Sequence, residues 1–280
     1  MLRPLEPAVQ RPRSRVRPRA PGTEPGVLTG LHPVREALRA RRRALHRLGL
    51  PGAPRPEFEE LRALARDAGV DCVEGSLAER GGPGPGSWVW LEAGPLPELE
   101  LEELVALPAG PTSTLIALDG VEDPQNVGAI FRSAEAAGAS GLVLTRRHAP
   151  PLTDAVCRAS AGASEWLPVA RVPNLTRALG ALKHAGYWIL GADPSAEVDL
   201  VGAPDAWLRG PRVVVLGAEG VGLRQGVREA IDHRVRIPME GRVASLNVSA
   251  ACAVFLFEIR RRDRPSETAK TRCPRGDHNL

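Results

Sequence analysis

Three short segments of the chain combine polar and glycine residues in patterns that could serve a reaction, and the first lies at 126–132. Asn126, Gly128 and Arg132 follow the apolar residues 115–118 and a polar turn that contains Pro124. An amide and a guanidinium together can bind and orient a polar or anionic substrate. Asn126 also fits the N-cap of a helix, and Arg132 fits an ordinary surface position, so these simpler interpretations stay open.

The second segment, 216–223, is rich in glycine and reads Leu-Gly-Ala-Glu-Gly-Val-Gly-Leu. Glycine tolerates positive φ and lets the backbone approach a ligand closely. The glycine spacing differs from the dinucleotide fingerprint and from the phosphate-binding loop. Because Glu219 would also repel a pyrophosphate, we reject a nicotinamide dinucleotide site. The segment then either holds another ligand or is a tight turn into a helix.

The third segment joins Ile237-Pro238-Met239 to the string Ser245-Leu246-Asn247-Val248-Ser249. Polar and apolar side chains alternate in this string immediately before an apolar helix. Polar groups in a buried segment need partners, either backbone or ligand. Asn247 and Ser249 also fit the cap of the helix that follows, so the string allows a structural as well as a chemical role.

Alternating strands and helices must position these three segments. The predicted strands are 115–118, 142–144, 166–170, 187–190, 213–216 and 235–237, and the predicted helices are 126–137, 152–161, 175–185 and 248–260. Continuous apolar strands separated by helices are typical of an α/β fold with a parallel sheet covered on both faces. Ligands bind beyond the carboxyl ends of such strands, and the three segments lie there.

A smaller α/β unit is predicted at 27–91, with helices at 33–43 and 58–68 and strands at 45–50, 70–73 and 87–91. A loop rich in glycine and proline interrupts it at 81–86. Residues 92–112 are acidic and contain four prolines, which indicates a linker with a short helix at 97–107. The sequence therefore predicts two folded units, at 27–91 and 113–262.

Both ends of the chain are basic and are predicted to be disordered tails, at 1–26 and 263–280. The first tail holds six arginines against two glutamates, and six prolines prevent a long helix. Such tails either bind the phosphates of a nucleic acid or only aid solubility. The first tail lacks a secretory signal, and the chain lacks a run of about 18 apolar residues. We therefore expect a cytoplasmic protein with no membrane segment.

The composition excludes two further classes of protein. The four cysteines lie far apart with no Cys-x-x-Cys pair, which argues against a disulfide framework and against a thiolate zinc site. Aromatic residues make up only 4% of the chain, which argues against a single-strand binder that works by stacking.

The order and spacing of the three segments carry a resemblance to a known family. Residues 114–260 resemble the SpoU branch of the SPOUT RNA ribose 2′-O-methyltransferases, with Asn126 to Arg132 as motif 1, 216–223 as motif 2 and 237–249 as motif 3. The unit at 27–91 is similar to the small L30e-like RNA-binding domain that precedes the methyltransferase domain in one subgroup. That subgroup includes bacterial 23S rRNA guanosine 2′-O-methyltransferases, and the string Thr-Gly-Leu-His-Pro-Val-Arg-Glu-Ala-Leu at 29–38 carries this likeness.

The resemblance implies a deep trefoil knot, S-adenosylmethionine as methyl donor, no metal, a structured RNA such as 23S rRNA as substrate, and a homodimer formed through the knotted domain. It implies the cofactor-binding residues Gly217, Gly220, Ile237, Met239 and Leu246. It also implies the catalytic set Asn126, Arg132, Glu219, Ser245 and Asn247.

The implied reaction is an in-line attack of a ribose 2′-hydroxyl on the methyl group of the sulfonium. Arginine is almost always protonated and is a poor base. We therefore expect Arg132 to position a phosphate and to stabilise charge on the 2′-oxygen, with Asn126 and Glu219 orienting it. Three alternatives remain: a tRNA 2′-O-methyltransferase, a resistance enzyme acting on a ribosomal drug site, and an RNA-binding protein without catalysis.

Overall fold

A computed structural model describes residues 26–75, 89–108, 110 and 112–263. The predicted tails lie outside these residues, except that Gly26 begins the first strand and Asp263 ends the last helix. The predicted loop at 81–86 and the start of the predicted strand at 87–91 also lie outside them. In the part of the chain that is described, no helix is both long and apolar enough to cross a membrane.

A small mixed sheet with two helices forms the first unit. Its strands are β1 (Gly26–Thr29), β2 (Leu45–Leu50), β3 (Asp71–Glu74) and β4 (Trp90–Ala93), and its helices are α1 (Leu31–Ala40) and α2 (Pro56–Ala68). The strand order is β1-β4-β2-β3, and only β2 and β3 run parallel. Pro56 suits the first turn of α2, and Gly69 ends that helix with a left-handed φ of 68°.

A six-stranded sheet forms the second unit. Its strands are β5 (Thr114–Asp119), β6 (Gly141–Thr145), β7 (Val169–Val172), β8 (Trp188–Ala192), β9 (Arg212–Gly217) and β10 (His233–Val235). Its helices are α4 (Pro124–Ala136), α5 (Asp154–Ala159), α6 (Leu175–His184), α7 (Asp205–Leu208), α8 (Gln225–Glu229) and α9 (Val248–Asp263), and α3 (Leu101–Val105) precedes the sheet. All strand pairs are parallel, in the order β10-β8-β9-β5-β6-β7.

Both faces of this sheet are buried, which confirms the predicted α/β fold with a parallel sheet. Along β5, Ile116 and Leu118 belong to the core cluster with α4 and α9, whereas Leu115 and Ala117 belong to the cluster with α6. Successive side chains of a strand point to opposite faces, so a strand covered on both sides must be apolar throughout. The continuous apolar run at 115–118 is the direct consequence.

Residues 98–105 of the acidic segment pack against the second unit, whereas residues 92–93 belong to β4 of the first unit. Leu99 pairs with Ala170 beside β7, and Leu101 and Leu104 are buried in the same core cluster. Glu98 forms an ion pair with Arg171 at 2.6 Å. The predicted helix at 97–107 is shorter, at Leu101–Val105, and a capping box at its first turn defines the start.

The two units also contact each other directly. Arg43 and Glu165 form an ion pair in which both side chains are buried. The backbone N–H of Thr29 donates to the Asp154 carboxylate at 2.7 Å, and further contacts involve α1 and a 3-10 turn at Ala163–Glu165. A buried ion pair leaves an uncompensated charge if one partner is removed. The buried pair therefore joins the small unit to the larger one, and removal of either side chain would destabilise this interface.

Element bounds differ from the prediction where local chemistry competes with apolarity. The strand predicted at 166–170 is the later Val169–Val172, because Trp166 closes the 3-10 turn and Pro168 cannot donate a ladder hydrogen bond. The helix predicted at 152–161 is only Asp154–Ala159. Strand β1 and the short helices α7 and α8 carry too little periodicity to be predicted.

Candidate active site

The three segments singled out in the sequence meet at the carboxyl edge of the six-stranded sheet. Strands β5 and β9 are neighbours and end in register at Asp119 and Gly217. Strand β10 lies two positions away, beyond β8. The first segment continues from β5, the second from β9 and the third from β10, so parallel order alone brings all three to one edge.

A hydrogen-bonded cluster of three side chains joins the segments. The Asn247 amide donates to the Glu219 carboxylate at 2.7 Å and to the Asn126 side-chain carbonyl at 2.9 Å. The Asn126 amide donates to the same oxygen of Glu219 at 3.3 Å. One residue from each segment therefore contributes to a single polar network.

This network also begins helix α9, so the interpretation of Asn247 as a cap is confirmed, and the chemical role of the third segment stays a prediction. The Asn247 side-chain carbonyl accepts from the backbone N–H of Ser249 at 2.9 Å and from its hydroxyl at 2.6 Å. The interpretation of Asn126 as an N-cap is wrong. Asp123 caps α4 instead, accepting from the Gln125 N–H, because Pro124 already occupies the first helical position.

A cavity of about 240 Å³ lies beside the network. Its lining includes all five residues expected to bind the cofactor together with two of the expected catalytic set: Gly217, Glu219, Gly220, Ile237, Met239, Ser245 and Leu246. Leu216, Val235 and Phe255 supply apolar walls. An apolar slot bordered by glycine backbone suits a planar base that is held by main-chain hydrogen bonds.

Gly217 is required for a reason other than the one the sequence indicates. A Cβ at this position would lie 2.3 Å from the backbone carbon of Gly222 and 2.5 Å from the Leu223 nitrogen. A side chain at Gly217 would therefore clash with the backbone of the loop at Gly222 and Leu223. Gly220 and Gly222 have φ of 78° and 68°, which only glycine adopts without strain.

Arg132 stands apart from this network. Its side chain is exposed on α4. In the described chain, Arg132 neither lines the cavity nor pairs with a carboxylate. Six helical residues turn the chain by about 600°, so Arg132 points about 120° away from Asn126. Asn126 and Glu219 bond to each other and to Asn247. The expectation that these two residues orient Arg132 is therefore not met in this structure.

The methyltransferase half of the chain matches a known protein family. The model of the SpoU rRNA Methylase family matches residues 113–257, which contain the whole six-stranded sheet and all three motifs. The chain belongs to this family.

Known proteins with similar sequences include two bacterial rRNA methyltransferases, and the similarity to the first extends beyond the methylase domain. The chain is 38% identical over 247 residues to the 23S rRNA (guanosine-2′-O-)-methyltransferase RlmB of Pseudomonas syringae, which covers 83% of this chain and 94% of that protein. A second similarity is to the RlmB of a Burkholderia species, at 49% identity over 51% of this chain and 57% of that protein.

Solved structures share the fold. An rRNA methyltransferase from Sinorhizobium meliloti with bound AdoMet superposes with a TM-score of 0.71 at 26% identity, over 86% of this chain and 89% of that one. The SpoU methyltransferase AviRb from Streptomyces viridochromogenes in complex with AdoMet gives 0.70 at 25% identity, over 85% of this chain and 90% of that one.

Two buried aspartates at the same edge were missed by the sequence reasoning about this SpoU protein. Asp119 is fully buried and accepts from the Arg224 Nε at 2.7 Å and the Arg224 backbone N–H at 2.8 Å, which fixes the end of the second segment. Asp193 follows β8, borders the cavity and pairs with Arg228. A carboxylate that ends a wholly apolar strand is the signal that could have identified Asp119.

The pKa of Asp193 lies below its ordinary value. Burial by itself would raise this pKa, but hydrogen bonds from Ser195 and from Arg228, together with the positive charge of that arginine, outweigh it. Asp193 is therefore ionised at neutral pH. Among the described residues, no group of three or more His, Cys, Asp or Glu side chains is arranged to hold a metal ion.

The glycine of motif 1 supports the SpoU site through helix packing, and Gly128→Ala is expected to destabilise the fold. A Cβ at Gly128 would lie 2.3 Å from the Ala159 Cβ and 2.9 Å from the Val156 carbonyl, so α4 and α5 would have to separate. Overpacking of this kind costs about 1–3 kcal/mol in the free energy of unfolding, measurable by urea denaturation. Gly180→Ala on α6 is the control, because nothing lies within 4 Å of its Cβ. Equal stability of the two variants would contradict the packing role.

Proposed function

We propose that the protein transfers the methyl group of S-adenosylmethionine to the ribose 2′-hydroxyl of a guanosine in 23S rRNA, in the cytoplasm. One observation carries this proposal: the three SpoU motifs meet in the Asn126–Glu219–Asn247 network, and motifs 2 and 3 line the cavity beside it. The relative of Pseudomonas syringae, to which the chain is similar over 94% of that protein's length, bears the name of this activity.

The residues of the cavity fit S-adenosylmethionine. Apolar walls with glycine backbone suit the adenine ring of this group. When bound there, this group supplies an activated methyl carbon. We assign contacts with the adenosine to Gly217, Ile237 and Leu246. Gly220 and Met239, which also line the cavity, are assigned further contacts with the cofactor.

The chain's own residues must align the ribose and stabilise charge on the 2′-oxygen. Arg132 is the proposed group for both tasks, because its guanidinium is exposed and has no carboxylate partner among the described residues. Its fork of five N–H donors can bind a phosphate and a developing oxyanion together. The Asn126–Glu219–Asn247 network joins the motif loops, and Ser245, which lines the cavity, is the proposed neighbour of the ribose.

A trefoil knot is the proposed topology of the cofactor domain. The connection from β8 to β9 contacts the chain that leaves β10, since the Leu200 N–H donates to the Arg236 carbonyl at 2.7 Å. Arg262, near the end of α9, donates to the carbonyls of Leu200 and Ala203 in the same connection. Support for threading comes from these contacts on both sides, although knots are rare among protein chains.

A homodimer through this domain is also proposed, and Phe257→Glu is expected to dissociate it. Val254 and Phe257 are 41% and 53% exposed on one face of α9, and Val221 and Val243 of the motif loops are more exposed still. Val254 and Phe257 are three residues apart and therefore adjacent on the helix, and exposed apolar side chains that adjoin one another favour a protein interface. A buried aromatic anchor typically contributes enough that its loss raises the dimer Kd more than about tenfold.

Analytical ultracentrifugation measures this change. Leu107→Glu is the matched control, because Leu107 is also an exposed apolar residue but follows α3 on the opposite face of the sheet. A dimer that persists in the Phe257 variant would contradict this interface.

The small unit at 26–93 is proposed as the L30e-like reader of structured RNA, with the basic tails as further phosphate contacts. Its support is the string at 29–38, which forms the end of β1 and most of α1. The buried Arg43–Glu165 pair holds this unit at a fixed position on the methyltransferase domain. A fixed arrangement suits recognition of a nucleotide within a folded RNA, where shape matters more than sequence.

Mapping of 2′-O-methyl groups in rRNA and tRNA, from cells with and without the protein, tests the function. The expected result is loss of one methyl group from a guanosine of 23S rRNA. Loss from a tRNA, or from a ribosomal drug-binding nucleotide, would favour one of the alternative substrates. Unchanged methylation in all RNAs, with RNA binding intact in vitro, would favour a non-catalytic RNA-binding protein.

A further inference from the structure

Two half-exposed arginines share one buried carboxylate at the rim of the cavity. Arg228 of α8 approaches the Asp193 carboxylate with its Nη2 at 2.7 Å, and Arg234 of β10 approaches with its Nη1 at 3.2 Å. The Asp193 side chain is only 4% exposed, whereas each arginine side chain is 45% exposed. The carboxylate is therefore an internal anchor, and the guanidinium groups project from it into solvent.

Asp193 has no capacity left for a ligand in the cavity, although it borders that cavity. One carboxylate oxygen accepts from the Ser195 backbone N–H at 2.9 Å and from the Ser195 hydroxyl at 2.7 Å. The other accepts from Arg228 Nε at 3.0 Å, from Arg228 Nη2 at 2.7 Å and from Arg234 Nη1 at 3.2 Å. Its role is to hold the two arginines, and one net positive charge remains on the group of three.

The arginines lie outside the cavity and keep donors free. Asp193 is among the residues that line the cavity, whereas neither Arg228 nor Arg234 is found in the described lining. An arginine has five N–H donors. Only Nη1 of Arg234 donates to the Asp193 carboxylate, so its other donors remain available to a ligand. Two guanidinium groups held side by side present the geometry that binds the oxygens of a phosphate.

We propose that Arg228 and Arg234 bind a backbone phosphate of the RNA substrate close to the ribose that is methylated, with Asp193 and Ser195 as positioning residues. The inference rests on the proposed function, because that function places an RNA ribose at the mouth of this cavity. The carboxylate of the methyl donor is the other oxyanion near the site. The cavity lining in the described chain contains neither arginine, which favours the RNA phosphate over that carboxylate as their ligand.

The test compares Arg228→Gln, Arg234→Gln and the double variant with Arg209→Gln in the full-length protein. Arg209 is a suitable control because it is 67% exposed, pairs with Asp205 and follows α7, away from the carboxyl edge. Each variant is assayed for the Kd of unmodified 23S rRNA transcript without cofactor, for the salt dependence of that Kd, and for the Kd of S-adenosylmethionine by calorimetry.

The expected result is a rise of about tenfold in the RNA Kd for each arginine, as the loss of a charge-assisted contact produces. The slope of log K against log salt should fall by about one per arginine, with unchanged cofactor affinity. Arg228→Lys should retain the salt slope and recover only part of the affinity, because it keeps the charge and loses the fork.

Two outcomes would overturn the inference. Weaker cofactor binding with unchanged RNA binding would assign the arginines to the methyl donor. Unchanged binding of both ligands, with a lower melting temperature, would leave the cluster a purely structural ion pair. Methyl transfer by the wild-type protein is measured in parallel. Its absence would count against the proposed function, while the binding comparison would still decide the role of the arginines.

Discussion

Gly217→Ala is expected to abolish tight binding of S-adenosylmethionine. The added Cβ would lie 2.3 Å from the Gly222 backbone, a distance at which the loop itself must move. That loop carries Gly220, which lines the cavity, and Glu219, which bonds to two other motifs. One methyl group should therefore displace both the cavity wall and the polar network.

The size of this effect follows from the cost of overpacking. Forcing a methyl group into a packed site costs about 1–3 kcal/mol, and a tenfold change in Kd corresponds to about 1.4 kcal/mol. If this cost falls on the bound state, the cofactor Kd should rise by about 5- to 150-fold in calorimetry. Gly241→Ala is the matched control, because Gly241 lies in the third segment with nothing within 4 Å of its Cβ. Wild-type affinity in the Gly217 variant would show that the loop tolerates displacement.

Arg132→Ala is expected to lower kcat by a factor of about 10²–10³ while cofactor binding stays normal. Removal of one donor that stabilises transition-state charge has this size of effect. Arg132 does not line the cavity in the described chain, so its loss leaves the cofactor contacts in place. Single-turnover methylation of an rRNA transcript measures the chemical step, and calorimetry measures cofactor affinity.

Two further variants separate the chemistry of Arg132 from its place on the helix. Arg132→Lys keeps the charge but loses the planar fork, so a partial recovery of kcat is expected. Glu135→Ala alters the exposed surface of the same helix three residues later and should leave kcat unchanged. Full activity of the Arg132→Ala protein would remove this residue from the mechanism.

Much of the fold could be predicted because a strand that is buried on both faces of a sheet is apolar at every position, a pattern visible within that strand alone. The run at 115–118 is apolar at every position, and β5 indeed has both faces covered. The predicted strand at 45–50 matches β2 at both ends, since Pro51 stops it at once. The packing of the acidic segment could not be predicted from its sequence, because its few leucines are buried only through contacts with β7, which lies far along the chain.

The site divides in the same way. Glycines and polar residues after apolar strands indicated three segments, of which the second and third border the cavity. The five cofactor contacts implied by the family resemblance are among its lining residues. The partner of each side chain could not be predicted. The sequence allows Asn126 to be a helix cap or a site residue, and in the structure its amide and carbonyl bond to residues about a hundred positions away.

The sequence by itself determined the parallel sheet, the order of the three motifs and the family they indicate, because apolar runs and motif spacing are local properties of the chain. Only the tertiary structure decided that Asn126, Glu219 and Asn247 form one network, that Asp193 holds two arginines, and that Gly217 faces its own loop. Such pairings join residues far apart in the chain, and their distances depend on how helices and loops pack over the sheet.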